Sequence, residues 1–460
     1  MSQDAAAPPT PTRSTPARPT PARSTPTRPV TAVLLAAGLG TRMKSTLPKA
    51  LHRIAGKPML SHLMDSCADA FNHIVVVAGP GMDALAAAAA PHPTVVQADR
   101  LGTAHAALEA AAHFGSGDAA VLYADNPLIR PATLRRLAAA RQGAGLALLA
   151  MRPADPGRYG RVVTGPDGTV DRIVEWADAT EAERAIPLCN AGVLCADAQD
   201  FLRWLRAVQP SPAKGEYYLT DCVALARAEG ARVVAVEAPE AELRGVNSRA
   251  ELAEAEATVQ DWLRRAAMDG GATLQAPHTV FLQADTRLAS DVIVGPHVVF
   301  GPGVTVGEGA EILAFSHLEG CDVAPGARIG PYARLRPGTQ VGPGAHVGNF
   351  VELKAARLEA GVKVNHLTYL GDCTVGARTN VGAGTITCNY DGVLKHRTTI
   401  GADVFVGTNA TLVAPLSLGD GAFVAAGSTV TRDVGAGDLV FGRAAQVDKP
   451  GRAPRRPPRT

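Results

Sequence analysis

A short glycine-containing segment carries two cations at a spacing suited to binding a phosphate. It reads Leu35-Ala-Ala-Gly-Leu-Gly-Thr-Arg-Met43 and is followed by Leu47-Pro-Lys49. Gly38 and Gly40 let backbone N–H groups approach a phosphate, while Arg42 and Lys49 can neutralise its charge. The spacing fits neither the G-x-x-x-x-G-K-[ST] P-loop nor a G-x-G-x-x-G dinucleotide fingerprint. The alternative is an ordinary glycine turn with two surface cations.

A carboxylate follows a second apolar run, in Leu122-Tyr-Ala-Asp125. Ligands bind at the carboxyl ends of parallel strands, and a carboxylate there suits Mg²⁺ that also meets phosphate oxygens. By itself, an Asp at a strand end is as often a helix cap as a metal ligand.

A polar and aromatic block, Asn365-His-Leu-Thr-Tyr-Leu-Gly-Asp372, interrupts an aliphatic repeat. An imidazole, with an ordinary pKa of about 6.5, can act as a general base at neutral pH. We therefore regard His366 as a candidate base, and Glu352 as the residue that orients it. A single His is more often structural, and Arg336 and Lys354 nearby also fit a solvated row of charges.

The repeat itself runs from about Ala289 to Thr431 with a period of six. An aliphatic residue opens each unit, as at Ile329, Leu335 and Val341, and a small residue follows four places later. A period of six fits neither a helix nor an alternating strand, but it is typical of a parallel β-helix whose coils stack about 4.8 Å apart. The alternative is a glycine-rich β-sandwich.

The region before the repeat alternates apolar runs with Ala-rich stretches, which predicts an α/β domain with a parallel sheet. Ser248 and Glu251 form a capping box that predicts the start of a helix. The predicted domains are a Pro/Arg/Thr tail at 1–29, an α/β domain at 30–247, a linking helix at 248–269, a β-helix at 270–448 and a basic tail at 449–460. We expect the tails to stay extended.

Composition excludes several classes of protein. A net charge of +2 gives no general attraction to nucleic acid or membrane. The seven Cys form no C-x-x-C pair, which indicates free thiols in a reducing cytoplasm. There is no long apolar run and no signal-peptide core, so we expect a cytoplasmic protein without a membrane span.

The glycine-containing segment at residues 35–49 resembles the L-x(2)-G-x-G-T-x-M…P-K signature of the sugar-nucleotide pyrophosphorylases. This resemblance implies a Rossmann-like fold, Mg²⁺ as cofactor, Arg42 and Lys49 as catalytic residues, and Asp125 and Asn247 as metal ligands. It implies UTP and UDP-sugar binding by Leu35, Ala36, Ala37, Gly38, Lys49, Gln97, Gly102, Thr103, Gly160, Glu175, Asn190 and Asn247. Gln97, Gly102 and Thr103 match the loop that reads uracil.

The repeat resembles the left-handed β-helix of hexapeptide acyltransferases, and the whole of 30–449 resembles the bifunctional family that makes UDP-N-acetylglucosamine. The resemblance implies His366 as catalytic base, homotrimers, and the substrates acetyl-CoA, glucosamine 1-phosphate, N-acetylglucosamine 1-phosphate and UTP. It implies glucosamine 1-phosphate binding by Arg336, Glu352, Lys354, Tyr369 and Asn380, and acetyl-CoA binding by Ala383, Asn389, Tyr390, Thr408, Ala426 and Arg443.

Four residues depart from that family's pattern: Leu39 replaces a Lys, Ala124 a Gly and Ala191 a Thr, and Asn126 follows the metal-binding Asp. The missing Lys is expected to loosen the hold on a triphosphate. Two other functions stay open at this point. One is a nucleotidyltransferase whose β-helix only assembles or regulates; the other is a non-enzymatic scaffold.

Overall fold

The computed structural model describes residues 28–211, 215–450 and 452. The predictions for residues 1–27 and for most of the C-terminal tail lie outside the described residues. The chain forms two compact units: the first runs to Leu51 and from Met59 to Gly245, and the second comprises His52–Pro58 and the chain from Val246 onward. The predicted domain boundaries stay predictions.

The first unit is built on a sheet of nine strands. Seven form its main path, in the order Val233–Glu237, Leu146–Met151, Cys189–Asp197, Asp118–Tyr123, Val30–Leu35, His73–Ala78 and Thr94–Val96; Arg161–Thr164 and Val170–Val174 lie off that path. The neighbours of Val30–Leu35 are both parallel to it, as predicted. Cys189–Asp197 is antiparallel to both of its neighbours on the path, so the sheet is mixed.

Helices separate most of these strands along the chain. They are Met59–Ala70, Asp83–Ala89, Thr103–Glu109, Pro131–Gln142, Glu181–Arg184, Ala198–Ala207, Asp221–Ala228 and Glu240–Leu243. Short 3-10 helices occupy Thr41–Met43, Lys49–Leu51 and Ala111–His113. Apolar residues of the sheet are buried on both of its faces: Leu34 and Val76 belong to one core cluster, Val33 and Val75 to another.

The second unit begins with the helix Arg249–Asp269, which Ser248 and Glu251 cap reciprocally, as predicted. The hairpin Arg53–Ile54 and Lys57–Pro58 belongs to the same unit. The Ala55 backbone N–H there donates to Oε2 of Glu256 on the helix at 2.6 Å.

The rest of the second unit is a parallel β-helix with three ladders of short strands. One ladder contains Thr273–Leu274, Ile293–Val294, Glu311–Ile312, Arg328–Ile329, His346–Asn349, Lys363–His366, Asn380–Val381, Phe405–Val406, Phe423–Val424 and Leu439–Val440. A second contains Val299–Phe300, His317–Leu318, Arg334–Leu335, the start of Glu352–Leu358 and of Tyr369–Val375, Ile386–Cys388, Thr411–Val413 and Thr429–Val430.

The third ladder contains Arg287–Leu288, Thr305–Val306, Cys321–Val323, Thr339–Val341, the ends of Glu352–Leu358 and Tyr369–Val375, Thr398–Ile400 and Leu416–Leu418. The residues that open each six-residue unit face inward: Ile329, Leu335 and Val347 are fully or almost fully buried. The period of six therefore predicted the β-helix correctly, and the sandwich alternative is wrong.

One row of exposed aromatic rings follows a corner of the β-helix. His297, Phe315, Tyr332 and Phe350 stack on successive coils, with ring centroids 4.9, 5.0 and 5.3 Å apart. All four residues adopt positive φ, because the chain turns the corner there in the left-handed conformation.

Candidate functional site

The first site lies where three neighbouring parallel strands end. Leu35 pairs with both Tyr123 and Val77, so the segments that follow these residues emerge at one edge of the sheet. Ala36 and Ala37 are buried, whereas Gly38 and Arg42 are exposed. A Cβ on Gly40, which has a φ of 62°, would lie 2.6 Å from Cβ of Lys49, so the glycine loop and the Lys49 segment approach closely.

Lys49 and Asp125 meet directly at this edge. Nζ of Lys49 lies 2.5 Å from Oδ2 of Asp125, and the two side chains are 16% and 20% exposed. The predicted phosphate cation and the predicted metal ligand are therefore brought together. Asn247 belongs to the second unit, where its backbone N–H donates to Oε2 of Glu251 at 2.6 Å; its role as a metal ligand stays a prediction.

The predicted base-reading loop is held by a network of partly buried groups. Oγ1 of Thr103 accepts from the Leu219 backbone N–H at 2.9 Å. The Tyr123 hydroxyl bonds to Thr103, and burial raises the pKa of Tyr123 because the ring has little water to solvate a phenolate. Tyr123 carries no predicted role, although its place before Asp125 is visible in the sequence.

Three of the predicted sugar-binding residues, Gly160, Glu175 and Asn190, lie near Tyr123. The Asn190 backbone N–H donates to the Gly160 carbonyl at 2.8 Å. A Cβ on Gly160 would be 3.5 Å from Oε2 of Glu175, whose Oε1 accepts from Oγ1 of Thr220 at 3.2 Å. Gly192 contacts the Tyr123 ring so closely that a Cβ there would overlap it. Sequence reasoning missed Thr220, because a threonine before a helix usually indicates only a cap.

Of the four residues that depart from the family pattern, Asn126 has a local explanation in a hydrogen bond. Nδ2 of Asn126 donates to the Leu243 carbonyl at 2.6 Å, so this buried amide fastens the segment after Asp125 to a neighbouring helix. Leu39 is 60% exposed and makes no core contact that would explain an apolar residue there. Ala124 and Ala191 are buried small residues.

A cavity of about 620 Å³ lies away from these residues. Its lining includes Thr31, Ile74, His92 and His113, near the beginnings of the strands whose ends carry the predicted site. None of the predicted site residues lines it.

The second site lies on the β-helix at His366. Its Nδ1 is 2.8 Å from Oδ1 of Asn349, the residue that pairs with it on the preceding coil. Glu352, predicted to orient His366, instead accepts from Nη1 of Arg336 at 2.9 Å. Asn349 therefore holds the imidazole in this structure, and sequence reasoning missed it because only the coil register brings the two together.

Lys354 lies near two further cations, Lys395 and Arg336, and Arg336 is paired with Glu352. Lys395 contacts Lys354, and this like charge, with the desolvation of the side chain and the charge of Arg336, lowers the pKa of Lys354. Lys354 and Tyr369 lie on one ladder, and Arg336 directly follows the strand Arg334–Leu335 of that ladder. Their role as a single sugar-phosphate site stays a prediction. Asn380 lies on a different ladder, between Lys363 and Phe405, so the structure does not group it with them.

The predicted acetyl-CoA residues divide into a column and a loop. On successive coils the Gly384 N–H donates to the His366 carbonyl, Asn409 N–H to Ala383, Gly427 N–H to Thr408, and Nη1 of Arg443 to Ala426. Asn389 and Tyr390 belong to the loop that ends at Lys395; Nδ2 of Asn389 donates to Oδ2 of Asp372 at 2.5 Å.

Comparisons with known proteins match the two parts of the chain separately. Residues 32–190 match the MobA-like NTP transferase domain, and residues 397–432 match the hexapeptide repeat of succinyl-transferase. The Bifunctional protein GlmU of Gluconacetobacter diazotrophicus is 67% identical over 430 residues, which are 92% of this chain and 93% of the relative. The chain belongs to the GlmU family. The GlmU proteins of Acidiphilium cryptum and Granulibacter bethesdensis are 65% and 64% identical, over 92% of this chain in each case and over 97% and 95% of those relatives.

Membership of the GlmU family confirms the fold class, a Rossmann-like nucleotidyltransferase domain followed by a left-handed β-helix. It also makes the chain an enzyme with nucleotidyltransferase and acetyltransferase activities, and the two alternatives left open above are not favoured. A solved UDP-glucose pyrophosphorylase complexed with UDP-glucose matches 51% of this chain and 99% of its own, at 19% identity and a TM-score of 0.43. No helix among the described residues has the length and apolarity to span a membrane.

Proposed function

We propose that the chain makes UDP-N-acetylglucosamine in two steps. The first transfers acetyl from acetyl-CoA to glucosamine 1-phosphate, and the second transfers uridylyl from UTP to N-acetylglucosamine 1-phosphate and releases pyrophosphate. The observation that supports this best is the occurrence of two separate polar sites, Lys49–Asp125 in one unit and Asn349–His366 in the other. We further propose a cytoplasmic location, from which the product feeds peptidoglycan and other envelope glycans.

The test of the two activities is an assay of both half-reactions on one purified sample. Acetyl transfer is followed by release of the CoA thiol, and uridylyl transfer by release of pyrophosphate. We expect both, with glucosamine 1-phosphate serving the first and N-acetylglucosamine 1-phosphate the second. A sample that performs only one of them, while its thermal unfolding shows an intact fold, would contradict the proposal.

For uridylyl transfer we propose that positioning and charge neutralisation do most of the work. The sugar phosphate oxygen attacks the α-phosphorus of UTP, and pyrophosphate leaves with the electron pair of the broken P–O bond. Arg42 and Lys49, beside the glycine loop, would neutralise the phosphate charge. Lys49 is already directed into the site by its ion pair with Asp125.

Asp125 fits a divalent cation, which the GlmU resemblance implies and which we propose is Mg²⁺. Its carboxylate lies at the carboxyl edge of the sheet, is partly exposed, and is a hard oxygen donor; Mg²⁺ commonly takes one or two carboxylates together with substrate phosphates. Among the described residues no group of three or more His, Cys, Asp or Glu could hold a metal. When bound, the cation would stabilise the negative charge that develops on the phosphates.

We expect a chelator to separate the two activities. EDTA should stop uridylyl transfer and leave acetyl transfer within about twofold, because only the triphosphate reaction needs a cation to offset phosphate charge. Both half-reactions are measured in EDTA and again after excess Mg²⁺. Equal inhibition of the two, or no recovery of uridylyl transfer with Mg²⁺, would contradict the metal assignment.

For acetyl transfer we propose His366 as the general base. Only the neutral amine attacks the thioester carbonyl, so Nε2 of His366 takes a proton from the nitrogen as the C–N bond forms and the CoA thiolate leaves. With Oδ1 of Asn349 accepting from Nδ1–H, the lone pair remains on Nε2. Arg336, Lys354 and Lys395 would bind the sugar phosphate, since they concentrate positive charge at one point.

Acetyl-CoA would lie along the column that rises from His366. Ala383, Thr408, Ala426 and Arg443 follow on the next four coils. At about 4.8 Å per coil the column extends roughly 19 Å, a length that suits an extended pantetheine arm. Arg443 at its far end offers a cation to the phosphates of the cofactor.

Replacing Asn349 by Asp should change the pH dependence of acetyl transfer. A carboxylate beside His366 favours the protonated imidazole, so the acid limb of the kcat/KM profile should move to higher pH by about one unit. The uridylyl-transfer profile of the same variant is the control and should not move. An acetyl-transfer profile that keeps its shape while kcat falls would show that Asn349 is only structural.

We propose a homotrimer, in which columns pack side by side and acetyl-CoA meets two chains. Supporting this, Phe405, Phe423 and Leu439 form an exposed apolar row on one ladder, 42%, 44% and 57% exposed, with the two Phe rings stacked at 4.7 Å. Apolar rows of this kind commonly mark interfaces.

Mixing variants tests the shared site. A His366→Ala chain and a chain altered at both Asn389 and Tyr390 should each be inactive, and subunit exchange should restore part of the acetyl transfer, since some interfaces would pair intact halves. Exchange is confirmed by mass spectrometry of tagged chains. Confirmed exchange without returning activity would place the whole site within one chain.

A further inference from the structure

The amide of Gln97 has only one possible orientation. Gln97 is 4% exposed and follows the strand Thr94–Val96. Its Nε2 lies 3.0 Å from the carbonyl oxygen of Gly102 and 3.2 Å from Nδ1 of His105. A carbonyl can only accept, so the atom facing Gly102 must be the NH₂ group rather than the side-chain oxygen.

The same geometry fixes the tautomer of His105. The second hydrogen of the Gln97 amide points at Nδ1, which must therefore carry its lone pair, and the ring proton must be on Nε2. Oε1 of Glu109 lies 3.7 Å from Nε2, one turn further along the helix Thr103–Glu109. This carboxylate favours the Nε2–H tautomer that Gln97 requires.

The Gly102 carbonyl is also held in place. Gly102 has a φ of 117°, and a Cβ there would lie 2.5 Å from the Tyr217 carbonyl oxygen, so only glycine fits. The Tyr217 N–H donates to the Leu101 carbonyl at 2.7 Å, and its carbonyl accepts from Ala104 N–H at 3.0 Å. The two acceptors that orient the Gln97 amide, the Gly102 carbonyl and Nδ1 of His105, therefore belong to one loop and the helix that follows it.

The remaining polar atom of Gln97, Oε1, has no donor among the described residues and is not sealed from solvent. Oε1 is therefore the atom of Gln97 that a ligand can reach, and the ligand must offer it a hydrogen-bond donor. Uracil presents an N–H at ring position 3, whereas cytosine presents a lone pair there. Two lone pairs facing each other repel, so an Oε1 in this orientation favours the first base and rejects the second.

We propose that His105 is a specificity-determining residue: with Gly102 it locks the Gln97 amide so that Oε1 reads the N3–H of uracil and excludes cytosine. This inference rests on the proposed use of UTP. His105 acts through Gln97 and is a positioning residue. Without His105, turning the amide over breaks one hydrogen bond rather than two. The preference for binding uracil over cytosine should therefore fall by about tenfold.

The experiment compares UTP with CTP in the uridylyl-transfer direction for the full chain. His105→Leu, which has no acceptor, should lower the ratio of kcat/KM for UTP over CTP by about tenfold, mainly through KM. His105→Asn should restore most of the ratio, because an amide oxygen can replace Nδ1 as acceptor. Glu109→Ala, a partly exposed change that leaves the core untouched, should lower the ratio by a smaller factor.

A His113→Leu variant is the control, since this exposed imidazole lies beyond the helix that carries His105. An unchanged ratio in folded His105→Leu, or equal loss with both nucleotides, would overturn the inference. If His105→Leu fails to fold, the same outcomes in Glu109→Ala decide. A wild-type chain that does not use UTP would overturn the proposed function instead.

Discussion

Replacing His366 by Ala should lower acetyl transfer by a factor of about 10²–10⁴ and leave uridylyl transfer within about twofold. General bases contribute a rate factor of this size, and Asn349 orients the imidazole that would supply it. The Lys49–Asp125 pair belongs to the other unit and keeps all of its contacts. Both half-reactions are measured on the same preparation, with the melting temperature as a check of folding.

His346→Ala is the matched control for this variant. His346 is also an exposed histidine on the same ladder, where it pairs with Lys363, and it has no predicted role. Its loss should affect neither activity. If His346→Ala lowered acetyl transfer as much as His366→Ala, the effect would report damage to the coil rather than loss of a base. Loss of uridylyl transfer in folded His366→Ala would contradict the assignment of separate sites.

Replacing Asp125 by Ala should lower uridylyl transfer by at least about a hundredfold and spare acetyl transfer. The variant removes the carboxylate proposed to hold Mg²⁺ and leaves Lys49 without the partner that directs it into the site. Asp125→Asn should show nearly the same loss, because a neutral amide is a much weaker ligand for the cation. Pyrophosphate release is measured across a range of Mg²⁺ concentrations.

Asp69→Ala is the control, because Asp69 also pairs with a cation, Arg135 at 3.0 Å, but on the surface. Exposed ion pairs contribute little to stability, so this variant should keep both activities. An Asp125→Ala enzyme that matches it at every Mg²⁺ concentration would show that Asp125 does not bind the metal.

Local periodicity predicted the fold well because it reports the direction of each side chain. Ile329 and Val347 face the core as the period of six requires. Periodicity could not predict that the strand Cys189–Asp197 is antiparallel, because an apolar run does not show the direction of its strand. The hairpin of Arg161–Thr164 with Val170–Val174 precedes this strand, and only the three-dimensional path of the chain shows the direction in which the strand runs.

The family motifs name residues of the candidate site, and their roles stay predictions. Contacts that depend on coil register could not be predicted from the motifs. The sequence predicts that Glu352 orients His366, but the Glu352 carboxylate accepts a hydrogen bond from Arg336. Asn349 contacts the imidazole from the preceding coil. His105 gives no signal in an Ala-rich helix. Its importance appears only when the Gln97 amide is found between two acceptors.

The regular stacking of coils has a consequence for where this chain can change length. Neighbours on adjacent coils are usually 17 or 18 residues apart, as Asn349 and His366 or Asp285 and Gly303, but Arg378 and Asp403 are 25 apart. The extra residues form the loop around Val393, which is 83% exposed. Elsewhere, inserting one residue would shift every later aliphatic side chain out of its place in the core. Insertions in natural variants, or engineered labels, should therefore be found at this loop, where they would alter the acetyl-transfer site and not the stacking.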